Sequence, residues 1–395
     1  MNTITNARLC AGATLCALLS PNLALAEEGM TIVDGDKGKL TIYGTLDGGY
    51  LSRSGDNGAY AAQAGARFAG HKSEITSGIE SESRLGFTGS RDLHNGLTAL
   101  FQLEAGFSID DGKSTLSDAE GNSVFRRKSF IGLAGRLGTV VMGRIDGGRY
   151  SVAGKYDPFA NGTVANMASL QVHGTRADNA VAYISPSWNG ASFLAAYTTN
   201  LVGQESPGNK GDGRLWAFIP SYAKGPLSLT LDLEQLSAKG NEDHKLNILV
   251  AGASYDFGPV KLHGYWENIK TNKYQDIFDG TFATYSALLS HQSWMLGVSA
   301  PVLGDQARIR ASYVALEDKT SLDASCRKWG IGGVYYLFER STYVYADVAK
   351  INNSSNGICS IQPNPARSAV DSGGAGSPAG GYGTTGLDFG ISHSF

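Results

Sequence analysis

The sequence predicts an all-β fold: a sixteen-stranded antiparallel up-and-down transmembrane β-barrel. Three observations predict it. Segments of about ten residues with strict apolar–polar alternation recur along the chain, as a wall one strand thick requires when one side meets hydrocarbon and the other water. The connections alternate between tight turns and long polar loops, the layout of a meander whose two rims face different compartments. After residue 26 there is no apolar run of about 18 residues, so spanning helices are excluded and only β structure is left for a chain that crosses a bilayer.

The N-terminus reads as an export signal covering residues 1–26. Arg8 supplies positive charge, residues 9–19 are mostly apolar, and Ala24-Leu25-Ala26 offers a small-x-small cleavage site before Glu27. The apolar part is too short to span and Pro21-Asn22 interrupts it, so it is not read as an anchor. Cys10 lies ahead of most of that run, which argues against lipidation. Residues 27–395 are then the barrel domain.

Strands are expected at residues 40–51, 83–92, 97–109, 124–134, 139–145, 179–186, 191–199 and 214–223. They continue at 227–237, 245–257, 260–270, 293–300, 307–316, 327–338, 342–351 and 384–395. The clearest turns Leu227, Leu229, Leu231 and Leu233 one way and Ser228, Thr230, Asp232 and Glu234 the other. The last strand repeats the device, with Leu387, Phe389, Ile391, His393 and Phe395 against Asp388, Gly390, Ser392 and Ser394. An even count is what single-chain bacterial barrels require.

Short turns are read at 93–96, 135–138, 187–190, 224–226, 258–259, 302–305 and 339–341. Long loops are read at 52–82, 110–123, 146–178, 200–213, 238–244, 271–292, 317–326 and 352–383. The last of these is rich in Gly, Ser and Pro and is expected to be mobile. Trp188, Tyr222, Phe257, Phe338 and Phe395 gather beside the short turns as a girdle at one headgroup boundary.

Composition narrows function further. With 33 basic and 36 acidic residues the formal net charge is −3, and no basic patch calls for nucleic acid. Of four cysteines, Cys10 and Cys16 fall in the leader. Cys326 and Cys359 fall in two segments read as outer loops, where an oxidising compartment permits a disulfide; two free thiols are the alternative. His71, His94, His173, His244, His263, His291 and His393 are scattered, without metal-ligand spacing. There is no Gly-x-Ser-x-Gly elbow and no phosphate-binding glycine loop, so neither an enzyme nor a cofactor or metal is expected.

Several motifs, in order, carry a resemblance. They begin with Leu40-Thr41-Ile42-Tyr43-Gly44-Thr45-Leu46-Asp47-Gly48-Gly49, then Ser83-Arg84-Leu85-Gly86-Phe87-Thr88-Gly89-Ser90 and Phe101-Gln102-Leu103-Glu104. Phe130-Ile131-Gly132-Leu133, Met142-Gly143-Arg144 and Asp178-Asn179-Ala180-Val181-Ala182-Tyr183 follow, and Phe395 ends the chain. The chain resembles the general porins of the Gram-negative outer membrane, especially the trimeric porins of the betaproteobacterial type. That resemblance implies short periplasmic turns, long extracellular loops, a homotrimer, and a third loop, residues 146–178, folded into the lumen as a constriction. It implies passive diffusion of ions and small hydrophilic solutes, a setting of outer-membrane lipid and lipopolysaccharide, and Phe395 as the signal read by the barrel assembly machinery. A ligand-specific outer-membrane channel or a loop-mediated adhesin stays open as the alternative.

A water-filled barrel selects by pore width and by charges at its narrowest level. Alternation places Arg84 with Gly86 and Thr88, opposite Leu85 and Phe87, hence toward water. The resemblance adds Arg127 and Arg144 to form a basic strip. Arg308 and Arg310 alternate with Ala307, Ile309 and Ala311 and are expected to line the lumen farther round. Lys128, next to Arg127, should point to the opposite face. On the constriction loop Asp146, Asp157 and Asp178 balance Arg149, Lys155 and Arg176. Asp157, beside Pro158-Phe159 where the family carries a bend, is the acid expected to face the strip and set up a transverse field. Many relatives carry a basic residue where Ala182 stands. The expectation is therefore weak anion preference or little selectivity, blunted by screening over about 8 Å at physiological salt.

Overall fold

The computed structural model describes residues 29–35, 38–56, 69–114, 124–171, 173–205, 207–209, 212–238, 241–271, 290–320, 323–364, 375–376 and 381–395. The expected leader lies outside them. The wall begins with β1 (Gly38–Ser54), β2 (Arg84–Asp92), β3 (Thr98–Gly106), β4 (Lys128–Gly135), β5 (Gly138–Asp146), β6 (Arg176–Ile184), β7 (Ala191–Thr198) and β8 (Gly213–Lys224). It continues with β9 (Leu227–Ala238), β10 (Asn241–Asp256), β11 (Lys261–Thr271), β12 (His291–Val302), β13 (Ala307–Asp318), β14 (Cys326–Phe338), β15 (Thr342–Asn353) and β16 (Thr385–Ser394). Each pairs antiparallel with its neighbour, and β16 returns to β1 from Thr45↔Ser394 to Ser54↔Thr385. The sheet is closed. Closure satisfies wall N–H and C=O groups that would each cost about 2–7 kcal/mol if left unpaired in hydrocarbon.

The alternation falls as the sequence predicts. In β9, Leu229, Leu231 and Leu233 are exposed on the outside while Thr230, Asp232 and Glu234 are buried on the lumen side. In β16, Leu387, Phe389 and Ile391 are exposed and Asp388 and Ser392 buried. An apolar belt with no protein layer over it suits lipid tails. Trp188, Phe257, Phe338 and Phe395 are all exposed at the short-turn rim.

Several boundaries differ from expectation: β6 starts at Arg176 rather than 179, which puts Arg176 and Asp178 on the wall instead of the loop, and β10 starts at Asn241 rather than 245. β1 is long because its two ends take different partners: Lys39–Thr45 pairs with β2, whereas Gly48–Ser54 pairs with an extra strand, His71–Ser77, inside the expected loop 52–82. Beyond Phe395, Met30–Gly35 pairs with the start of β1 in the place β16 has vacated. β4 starts at Lys128 rather than 124, and there the structure reverses a prediction. Lys128 faces the lumen, in register with Phe130 and Ala134, and forms an ion pair with Asp146 at 3.2 Å. Arg127 precedes the strand and escapes its alternation, so both basic groups turn inward.

The segment between β5 and β6 enters the lumen. Helix α1 (Gly148–Tyr156) follows β5 directly, and Lys155 lies in its last turn, favourably placed for the carbonyl end of the helix dipole. Its buried Val152, Ala153 and Tyr156, with Phe159, Val164, Ala165, Met167 and Leu170, form one apolar cluster with wall residues Ile219, Val250, Met295 and Val314. The apolar core thus lies inside the barrel, behind this loop. Wall glycines make the room: a Cβ built on Gly252 would stand 2.2 Å from Tyr156, on Gly297 2.5 Å from Pro158, and on Gly330 2.6 Å from Ala165.

Cys326 at the start of β14 and Cys359 form a disulfide, with Cα atoms 6.4 Å apart. The expected mobility of 352–383 does not extend to its opening part, where Ile358, Ser360, Ile361 and Gln362 are buried and hydrogen-bonded; residues 365–374 and 377–380 lie outside those described.

Candidate functional site

Inside the lumen, wall charges meet the loop that enters it between β5 and β6. Arg84, first residue of β2, donates to Ser81 Oγ at 2.8 Å and the Glu82 carbonyl at 3.1 Å, with its Nε 3.8 Å from Glu104. Arg127 donates to Glu104 Oε1 at 2.6 Å and also to the Glu82 carboxylate. Burial, and then the neighbouring Arg176, bring the Arg127 guanidinium down to about 10. Glu104 also accepts the Tyr43 hydroxyl at 2.7 Å, so one carboxylate organises three side chains. Arg144 pairs with Asp178, and Arg176 lies 3.1 Å from Asp146. Arg127 and Arg144 both lie within electrostatic range of Arg176, and each of these arginines, like Arg84, meets a carboxylate.

Arg310 lies on the far side. Its guanidinium forks onto Glu80 at 2.8 Å on both arms, meets Asp347 at 2.9 Å, and lies 4.7 Å over the Phe159 ring. It thereby clamps the loop tip to the wall. Arg308, two residues toward the short-turn rim, is half-buried and joins Lys261 and His263 within electrostatic range.

Asp157 occupies a different place from the one expected. Its two oxygens accept backbone N–H groups of Phe159 at 3.0 Å, Asn161 at 3.2 Å and Met167 at 2.8 Å, and only 4 % of it is exposed. The reason is local. Ala160, Asn161 and Thr163 have φ of 51°, 64° and 61°, a left-handed path for three non-glycine residues that folds the tip around the carboxylate. Burial raises the Asp157 carboxyl above its ordinary range, and the three amides pull it back. Lys328 of β14 closes the far side of the tip, donating to the Asn166 carbonyl and Ser169 Oγ at 2.6 Å each.

The helix is tied down as well. The Arg149 N–H donates to Glu234 Oε1 at 3.2 Å, and its guanidinium is 3.6 Å from Glu267, which also meets His291 at 3.0 Å and the Tyr265 hydroxyl at 2.8 Å. Lys155 reaches Thr230 at 3.1 Å; burial and then Lys261 push its ammonium down to about 8. Ala182 is wholly buried in the β6 wall. Phe395 exchanges backbone hydrogen bonds with Gly44 at 2.9 and 3.0 Å and seals the seam between β16 and β1.

Sequence reasoning missed Glu80, Glu82, Glu104, Asp347, Lys261 and Lys328. Glu104 alternates with apolar Leu103 and Ala105 and was legible as inward, whereas Lys328 follows Arg327, so polarity alone did not say which of the two bases turns in. Glu80 and Glu82 lie in a loop whose path no periodicity reports. Among the described residues no group of three His, Cys, Asp or Glu side chains could hold a metal ion, and no helix is long and apolar enough to cross a membrane.

A closed wall with an apolar outside, a charged inside and a loop folded across the lumen defines an outer-membrane channel. The profile of the Gram-negative porins matches residues 12–356, and the chain belongs to that family. It is 30% identical over 354 residues to an outer membrane porin protein of Bordetella pertussis, covering 79% of this chain and 89% of that one. It is 31% identical over 331 residues to outer membrane porin protein 32 of Delftia acidovorans, covering 81% and 86%. The solved anion-selective porin from Comamonas acidovorans superposes with a TM-score of 0.68 at 25% identity, over 91% of this chain and all of that one. The protein is an outer-membrane porin, a water-filled channel for passive diffusion.

Proposed function

We propose that Arg84, Arg127, Arg144 and Arg176 on the wall, with loop 146–178, form the constriction, and that it passes small hydrophilic solutes with only a weak preference for anions. The observation that carries this reading is the pairing of every strip arginine with a carboxylate. Opposite charges in contact cancel beyond a Debye length of about 8 Å, leaving a structured but nearly neutral eyelet. The lean toward anions rests on Lys155, Lys261 and Arg308, which act on one another toward the short-turn rim. The similar anion-selective porin from Comamonas acidovorans supports the same sign. A reversal potential in a potassium chloride gradient tests it: a small anion-selective value is expected, and clear cation preference would overturn it.

The same reading takes the channel as a homotrimer in lipid and lipopolysaccharide, exported by a leader of residues 1–26 and inserted by the barrel assembly machinery through Phe395. Monomer mobility on a native gel before heating counts against the trimer. Full membrane insertion after deletion of Phe395 counts against the signal. No catalytic role is proposed, and ester or peptide hydrolysis by the refolded protein would contradict that.

A further inference from the structure

A second inward fold covers the constriction loop. Residues 354–364, read from sequence as part of an outer loop, turn into the barrel, and Ile358, Cys359, Ser360, Ile361 and Gln362 are each at most 1% exposed. Gly386 of β16 shows on which side they lie. Its lumen face has room for hydrogen alone, because a Cβ there would stand 2.8 Å from Ile361 and 2.9 Å from Val164 of the constriction loop. Ile361 and Val164 therefore share one seat inside the wall.

Polar contacts tie the two loops together. Asn166 Nδ2 donates to the Gln362 carbonyl at 2.7 Å and the Pro363 carbonyl at 3.3 Å, and Asn364 Nδ2 donates to the Gly78 carbonyl at 2.8 Å. Ile361 exchanges backbone bonds with Gly383 at 2.9 Å and Tyr382 at 3.1 Å. At the root, Asn353 holds both the N–H and the carbonyl of Cys359 at 3.0 Å, beside the bridge to Cys326. A loop left to bulk water would not bury two isoleucines and a disulfide.

We propose that segment 354–364 is a second constriction element, anchored to β14 by the Cys326–Cys359 bridge, that narrows the path over loop 146–178 and lowers the size of solute admitted. It deepens the porin reading and rests on loop 146–178 as the first constriction. The bridge supplies the anchor because it joins this segment covalently to the wall across a separation of 33 residues in sequence.

Two variants of the full chain test it, by single-channel recording and by swelling of proteoliposomes in a graded series of oligosaccharides. In one, residues 355–363 are replaced by a short Gly-Ser turn; in the other, Cys326→Ser is combined with Cys359→Ser. The shortened loop should raise conductance and move the cutoff up by at least one sugar unit. The double serine variant should add transitions to a larger conductance level. If the shortened chain does not assemble, the serine variant decides. Conductance and cutoff equal to the native protein in either assembled variant would overturn the proposal. Charge selectivity is read separately, by reversal potential, so failure here is distinguishable from failure of the arginine strip.

Discussion

The ring of Tyr156 lies directly on Gly252: a Cβ built on that glycine would come within 2.2 Å of Tyr156 Cδ2. The Tyr156 hydroxyl is then within 2.9 Å of Thr230 Oγ1 and 3.1 Å of Ser228 Oγ on β9. One absent methyl group on the wall thus sets how deep loop 146–178 sits.

Gly252→Val should lift Tyr156 from its seat. Overpacking of this kind costs about 1–3 kcal/mol. A lower heat-dissociation midpoint and an altered unitary conductance are expected from gel shift and bilayer recording, whereas Gly264→Val, at a lipid-facing site with open space around it, should leave both unchanged.

Asp157→Asn keeps the shape of the tip but turns a donor toward backbone N–H groups that now point at two carboxylate oxygens. A buried donor left without an acceptor costs about 1–3 kcal/mol. The tip should loosen, and open-channel noise should rise with little change in reversal potential. A quiet trace identical to the native one would show that these bonds do not hold the loop.

Arg127→Ala removes the base shared by Glu82 and Glu104. Breaking a buried pair from one side costs about 3–5 kcal/mol, so heat stability should fall. The two carboxylates, with one base fewer beside them, should also move the reversal potential toward cations, and Arg127→Lys should restore most of that shift. An unchanged potential in the alanine variant would remove Arg127 from the permeation path.

The weak anion preference should depend on pH through Lys155, whose ammonium is pushed down to about 8 by burial and by Lys261. A lysine with a lowered value is charged below that pH and neutral above it, so positive charge is lost as pH rises from about 7 to about 9. Anion preference should fall over that interval in the native pore and stay flat in Lys155→Met. Reversal potentials across the interval, at constant salt, check both.

The wall was legible because its cause is local. Leu229, Leu231 and Leu233 against Thr230, Asp232 and Glu234 state both faces of a strand within six residues, and a two-residue period leaves no other assignment. The inward direction of Arg84 followed from the same rule. Lys128 broke it, because the strand begins one residue after Arg127 and alternation counts only inside a strand. Asp157 was misplaced because its partners are amides two, four and ten residues onward, made available by a left-handed turn that no side-chain pattern announces.

By itself the sequence determined a closed membrane barrel, its strand count, its two unlike rims and the residues that meet lipid. Only the tertiary structure decided which carboxylate answers which arginine, that Cys326 and Cys359 are joined, and that two loops rather than one enter the lumen. The division has a physical reason. Hydrocarbon imposes its demand on every second residue along the chain, whereas the lumen is filled by contacts between segments as far apart as Glu80 and Arg310, or Val164 and Asp388, whose meeting depends on the closed wall around them.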